Sequence, residues 1–355
     1  MSSKYEYTRR KTRSVKVGGV TVGGDAPVSI QSMTFAKTSN KEATLSQILA
    51  LEEAGCDIVR FSVPDEASAE SVPFLKEHTH IPLVADIHFN YRLAIKCAEY
   101  GIDKVRINPG NIGDDDNVRA VVDECKKRGI PIRIGVNAGS LEKHILAKYG
   151  HPCPEALLES AMYHIGLLEK FDFYDTIVSI KSSDIHTTIA ANRLFAEKCD
   201  YPLHLGLTEA GTERFGIIKS SAAIGSLLSD GIGDTIRVSL TDDSVREVYA
   251  ARDLLKSLGL KSGVNIISCP TCARCDYDVI GIANELHRRL DGLCKNVTVA
   301  VMGCAVNGPG EAREADIGVA GGKGEALLFK KGVPCGKIPE DEVVERIIKE
   351  VEEMP

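Results

Sequence analysis

At 355 residues and 43% hydrophobic content the chain can bury one full-sized core and a smaller second one, so a large and a small domain are expected. A net charge of −7 argues against general nucleic-acid binding, and no run of 18 apolar residues is present to span a bilayer as a helix. The N-terminal MSSKYEYTRRKTRSVKV is basic but lacks the apolar stretch and small-residue cleavage site of a secretory signal, which places the protein in the cytoplasm and its eleven cysteines in a reducing compartment.

Val15, Val17, Val20 and Val22 flank Gly18-Gly19 and predict a short hairpin that plugs a barrel floor. Apolar runs rich in β-branched residues then begin near Val28, Asp57, Ile81, Lys104, Ile132, Thr176, Leu203 and Asp234. Amphipathic stretches separate these eight strands, among them Glu42 to Ala54, Asp116 to Lys127, Pro154 to Lys170 and Ser244 to Leu258. Eight strand-helix units over about 250 residues match a (β/α)₈ TIM-type barrel, here residues 1–258. A doubly wound sheet would want a Gly-rich loop after its first strand, and Ser32-Met33-Thr34 is not one. Cys56, Cys97, Cys125, Cys153, Cys199 and Cys294 occur singly and read as small packing residues, and Cys335 is also isolated.

Successive strand residues point to opposite faces, so the parity of each run separates an outer face from a lumen. The apolar set, for example Val59 and Phe61 or Ile132, Ile134 and Val136, should meet the helices. The other set carries Ser29 and Gln31, Arg60 and Ser62, Asp86 and His88, Arg106 and Asn108, and Arg133 and Asn137. It continues with Ser179, Lys181 and Ser183, His204 and Thr208, and Arg237 and Ser239. Barrel lumens are ordinarily filled by branched apolar layers, so this polar face implies a deep binding site at the strands' C-terminal ends. Arg60, Arg106, Arg133, Lys181 and Arg237 converge there and call for a multiply charged anion, most simply a diphosphate. An internal ion-pair network would rely on Asp86 and Glu209, and two carboxylates cannot neutralise five cations.

After Leu258 the pattern changes. A strand-like Val264 to Ser268 leads into C-P-T-C-A-R-C at 269 to 275, a helix is expected near Tyr277 to Leu290, and a strand over Val297 to Met302 leads into M-G-C-A-V-N-G-P-G-E. A second, α+β domain over 264–355 follows. Cys269, Cys272 and Cys304 form a metal signature, with Glu311 seven residues after Cys304 in what reads as a Gly-Pro-Gly turn. Zinc would normally be closed by a second Cys-x₂-Cys or a histidine pair, and a radical-generating cluster would want Cys-x₃-Cys-x₂-Cys. A [4Fe-4S] cluster fits best. Its fourth ligand stays open: Cys275 would give an all-cysteine cluster suited to electron transfer, whereas Glu311 would leave one iron that a substrate oxygen could occupy.

The segments S-C-P-T-C-A-R, V-M-G-C-A-V-N-G-P-G-E and A-D-I-G-V-A-G-G resemble the 4-hydroxy-3-methylbut-2-enyl diphosphate synthase family of the non-mevalonate isoprenoid pathway. So do V-R-I-N-P-G-N, R-I-G-V-N-A-G-S-L, L-G-L-T-E-A-G and D-T-I-R-V-S-L in the barrel, so the likeness runs along nearly the whole chain. The resemblance implies an iron-sulfur oxidoreductase that opens 2-C-methyl-D-erythritol 2,4-cyclodiphosphate by reductive loss of water, with electrons from a ferredoxin or flavodoxin. It implies Cys269, Cys272, Cys304 and Glu311 as cluster ligands, Glu311 yielding to substrate oxygen and Glu209 donating a proton. Arg60, Arg106, Arg133, Asn137, Lys181, Arg237 and Ser239 would hold the diphosphate, and the polar neighbours Asp86, His88, Asn108 and Thr208 complete the expected substrate site. Cys275 departs from the family pattern, and the plant-type insertion between barrel and cluster domain is missing. The rival readings are an iron-sulfur sensor or electron-transfer protein that binds a phosphorylated metabolite, and a non-redox lyase with structural zinc.

Direction counting gives an assembly. Strand eight ends near Leu240 at the catalytic face and Ser244 to Leu258 runs back for about 22 Å, so the second domain starts at the barrel floor. The linker 259–263 spans at most about 18 Å, too short to bring the cluster round to its own barrel mouth. A head-to-tail homodimer is expected.

Overall fold

The computed structural model describes residues 7–275, 277–304 and 306–354. The chain divides into two compact units, 1–258 and 259–355.

The first unit opens with a hairpin, β1 (Val15–Val17) against β2 (Val20–Val22). Eight parallel strands follow: β3 (Ser29–Met33), β4 (Ile58–Ser62), β5 (Leu83–Asp86), β6 (Lys104–Ile107), β7 (Ile132–Asn137), β8 (Thr176–Lys181), β9 (His204–Leu205) and β10 (Thr235–Ile236). They pair in the order β8-β7-β6-β5-β4-β3-β10-β9, and the bridge between Val178 and Leu203 closes the ring. This is the (β/α)₈ barrel that the alternation implies. The helices between the strands start and stop on local signals. Over Asp115–Arg128, for example, the Asp114 carboxylate accepts the Asn117 N–H, and Gly129 ends the helix at φ 65°.

Inside the barrel the floor is apolar. Ile58, Val84 and Ile177 point inward there and pack on Val15, Val17 and Val22 of the hairpin. The basic segment before the hairpin is a structural strap: Arg9 pairs with Asp234 at 3.0 Å, and Arg13 pairs with Asp200 at 2.7 Å and stacks on Tyr201. Above the floor the lumen turns polar, with Gln31, Lys104 and His204 buried.

The second unit is a five-stranded sheet in sequence order: β11 (Val264–Ser268), β12 (Val297–Met302), β13 (Ile317–Gly321), β14 (Glu325–Lys330) and β15 (Val333–Pro339). The first three are parallel and the last two antiparallel. Helices Val279–Leu290 and Val343–Glu353 bury Ile282, Leu286, Ile347 and Val351 against one face. The other face holds a smaller cluster of Ala300, Met302, Ala312, Ala320 and Phe329. Gly308-Pro309-Gly310 was expected as a turn and instead opens the helix Gly308–Arg313, proline being well suited to a first helical turn. Cys294 was expected to pack and is exposed. Among the described residues no helix is long and apolar enough to cross a membrane.

Candidate active site and cluster-binding cavity

The loops that follow the barrel strands enclose two cavities of about 490 and 340 Å³. They share His88, Arg106, Asn137, Thr208 and Glu209, and so form one recess at the barrel mouth. The wider one also reaches Asn108, and the deeper one Arg60, Asp86, Arg133, Lys181, Arg237 and Ser239. Every barrel residue expected at the substrate site therefore lines this recess. His88 and Glu209 stand exposed on its rim, and Asp86, Arg106, Asn108, Arg133 and Lys181 are buried in its wall.

The cations are unevenly satisfied. Asp86 accepts from Arg106 Nη1 at 3.0 Å and faces Arg60 Nε at 3.6 Å, while Arg106 Nη2 donates to the Gly135 carbonyl at 2.9 Å. Although burial raises the Asp86 carboxyl, Arg60, Arg106 and Arg133 bring it down to about 2. Burial pushes Arg60 down to about 10 against the pull of Asp86. Arg133 is fully buried, and its Nε and Nη1 have no hydrogen-bond partner among the described residues. Burial, then the neighbouring Arg60 and Arg106, drive Arg133 well below its usual value, and Lys181 is lowered by burial and by Arg133. Like charges buried together are costly, and an anion among them offsets that cost.

Sequence reasoning misplaced the second carboxylate. The one inside the network is Glu247, on helix Ser244–Ser257, which meets Arg237 Nε and Nη2 at 3.1 Å each. Glu209 stays on the rim, on a backbone with φ 54°, a strained conformation for a side-chain-bearing residue and one that clusters at functional sites. Two glycines were also missed. A Cβ on Gly135 would lie 2.5 Å from Arg106 Nε, and one on Gly206 would lie 2.6 Å from Lys181 Nζ, so both cations cross the lumen over bare backbone. Met33 is a further neighbour: its sulfur lies 2.9 Å from Arg60 Nη2.

In the second unit the parallel pairing of β11 and β12 brings their C-terminal ends side by side, so Cys269 and Cys304 emerge together. A cavity of about 250 Å³ is lined by Cys269, Cys272, Cys304 and Glu311, with Arg274, Asn307 and Gly308 between them. Gly303 N–H donates to Cys269 Sγ at 3.1 Å. Backbone N–H groups of Asn307, Val306 and Gly308 hold the Cys304 thiol below its usual value, and the Arg274 N–H does so for Cys272. Amides directed at sulfur are what a thiolate-held cluster requires. The four side chains surround the cavity rather than meet at a point: among the described residues no three His, Cys, Asp or Glu are grouped to hold a metal ion. Cys275 does not line this cavity. It packs on the larger core, whereas Cys269 packs on the smaller one, and its Sγ donates to the Tyr277 carbonyl at 3.2 Å. Gly303 fits between the two sulfurs, where a Cβ would lie 2.7 Å from Cys275 Sγ. Three thiols and the Glu311 carboxylate line this cavity, a donor set that a cluster could use.

Comparison with known proteins covers both units. Residues 12–252 match a family model described as the GcpE TIM-barrel domain, and residues 265–353 match the GcpE protein C-terminal domain. A protein of Ruminiclostridium cellulolyticum named 4-hydroxy-3-methylbut-2-en-1-yl diphosphate synthase (flavodoxin) is 56% identical over 347 residues, 98% of each chain. A Bacillus cereus protein of the same name is 57% identical over 97% of this chain and 93% of its own. Among solved structures, dihydropteroate synthase from Stenotrophomonas maltophilia matches with a TM-score of 0.53 at 15% identity, over 70% of this chain and 97% of its own. That likeness is one of fold. The chain belongs to the GcpE family.

Proposed function

We propose that the protein is a 4-hydroxy-3-methylbut-2-enyl diphosphate synthase that reduces 2-C-methyl-D-erythritol 2,4-cyclodiphosphate, with a [4Fe-4S] cluster on Cys269, Cys272, Cys304 and Glu311. The observation that carries this reading is the wall formed by the buried Arg106, Arg133 and Lys181 with the partly buried Arg60 and Arg237, paired among the described residues with Asp86 and Glu247. The names of the relatives supply the diphosphate product and flavodoxin, read here as the electron donor. Two electrons and two protons convert the cyclic diphosphate to the linear one and water: the ring C–O bond and a C–OH bond break, and a C=C bond forms.

The residues divide the work. The wall cations hold the diphosphate, and Asn108, Asn137, Thr208 and Ser239 orient the carbon skeleton through hydrogen bonds. Glu209, on the rim and held by a strained backbone, gives its proton to the departing hydroxyl. When bound, the cluster supplies single electrons and a Lewis-acidic iron. With the cluster bound, Glu311 would be the exchangeable ligand, because a carboxylate oxygen would be held less tightly than the three thiolates.

The active unit is a head-to-tail homodimer in which each barrel is covered by the partner's second unit. The helix Ser244–Ser257 runs from the mouth to the floor of the barrel, and the mouth itself exposes Phe35, Phe89 and Phe215 to be covered. Mixing a Glu209→Gln chain with a Cys304→Ala chain, each inactive alone, should restore activity toward half per heterodimer. Verified heterodimers without activity would exclude a shared site.

Anaerobically purified protein should contain about four iron and four sulfide per chain. The cyclodiphosphate at millimolar concentration should raise its melting temperature. Zinc in place of iron, or no thermal shift, would overturn the proposal.

A further inference from the structure

We propose that Glu247 is a positioning residue for the substrate's anionic group, acting through Arg237. The inference rests on the reading of the barrel mouth as the cyclodiphosphate site. Glu247 lies outside that recess, on a helix that sequence periodicity would assign to packing and solvent. Its carboxylate is almost completely buried and accepts four hydrogen bonds: Arg237 Nε and Nη2 at 3.1 Å each, Ser32 Oγ at 2.8 Å and the Leu240 N–H at 3.0 Å. The donors come from β3 and from the segment after β10, so this one carboxylate sits where the first barrel strand meets the eighth. A paired carboxylate and guanidinium fix each other in a plane, which a single-point contact does not. With Nε and Nη2 committed to Glu247, Arg237 lines the recess with Nη1 uncommitted to any carboxylate, 3.7 Å from Met33 Sδ. Glu247 therefore sets the direction of the one donor edge that Arg237 has left for a ligand. It touches no substrate.

A purely structural Glu247 would staple that junction and leave binding to the cations. A positioning Glu247 makes its effect on binding depend on Arg237, and a double-mutant cycle separates the two. The cluster-loaded enzyme, without reductant, is titrated calorimetrically with the cyclodiphosphate as wild type, Glu247→Gln, Arg237→Met and the double variant. Glu247→Gln should weaken binding about tenfold, whereas adding it to Arg237→Met should change affinity by less than about twofold. Ser32→Ala removes one bond to Glu247 but leaves the Arg237 pair, so it should lower the melting temperature and keep affinity within about twofold of wild type. If Glu247→Gln does not fold, Glu247→Asp takes its place, because it keeps the charge but withdraws the carboxylate by one methylene. Equal losses from the Glu247 substitution in both backgrounds, or no loss in a folded variant, would overturn the proposal while leaving the site reading intact. No binding by wild type would overturn the site reading and the proposal together.

Discussion

The buried ring of His164 stands between two loops of the barrel mouth, its Nε2 lying 2.6 Å from Glu142 Oε1 and its Nδ1 accepting the Gly110 N–H at 3.1 Å. Because Nδ1 must accept from an amide, Nε2 carries the proton directed at Glu142. The ring thereby ties the segment after Asn108 to the segment after Asn137. Burial raises the Glu142 carboxyl, but the hydrogen bond from His164 prevails and holds it at about 2.

A carboxyl depressed in the folded state stabilises the protein above its unfolded pKa of about 4.3 and loses that contribution as pH falls toward 2. Glu142→Gln should therefore be less stable than wild type at pH 7, by about 1–3 kcal/mol for a weakened buried pair. The gap should close between about pH 4 and pH 2. Denaturant unfolding across that range checks it, and a gap independent of pH would mean that the hydrogen bond from His164 does not depress the Glu142 carboxyl.

Arg133 is buried with two guanidinium nitrogens unpartnered among the described residues, beside Arg60 and Arg106. Arg133→Met removes a buried charge without leaving an unpaired carboxylate behind, since Asp86 keeps Arg106 and Arg60. The ligand-free variant should melt above wild type and show no rise with cyclodiphosphate. A lower melting temperature than wild type would mean that the guanidinium is a structural asset.

Gly135→Ala and Gly206→Ala should act on binding through Arg106 and Lys181, whose side chains occupy the space of the new methyl groups. About a tenfold loss of cyclodiphosphate affinity is expected, since a side-chain tip can move aside at modest cost to the fold. For Gly206 the Arg237 carbonyl at 2.9 Å adds backbone crowding, so this variant should lose more stability than Gly135→Ala. Unchanged affinity in both would show that neither cation reaches the ligand.

What was legible in the sequence was what repeats. Period-two alternation separated Val59 and Phe61 from Arg60 and Ser62, and eight such runs defined both the barrel and its polar lumen. Lys104 escaped notice because it opens its strand directly after Asp103 and reads as a solvated end, yet it is fully buried, 3.5 Å from Gln31. Glu247 was hidden in the same way within S-V-R-E-V-Y-A-A-R, where a charged helix position usually faces water. The parity of Arg106 already puts Lys104 on the lumen face, whereas the burial of Glu247 depends on long-range pairing with Arg237 and Ser32 that local pattern does not carry. The helix at Gly308 was readable from its proline, but the surrounding glycines favoured a turn.

Cys275→Ser should leave iron and sulfide content unchanged, because that thiol packs on the larger core and does not line the cavity of Cys269, Cys272, Cys304 and Glu311. Cys269→Ala, Cys272→Ala and Cys304→Ala should each lose the cluster. Loss of visible absorbance in Cys275→Ser would make the fourth ligand a cysteine and remove Glu311 from that role.

The most direct test of the whole account is anaerobic turnover of 2-C-methyl-D-erythritol 2,4-cyclodiphosphate by cluster-loaded enzyme with reduced flavodoxin, following both product and electrons consumed. The account predicts 4-hydroxy-3-methylbut-2-enyl diphosphate at two electrons per molecule, with Glu209→Gln retaining cluster and substrate binding but losing most turnover. Substrate bound by the loaded enzyme without any product formed, or near-normal turnover in Glu209→Gln, would contradict it.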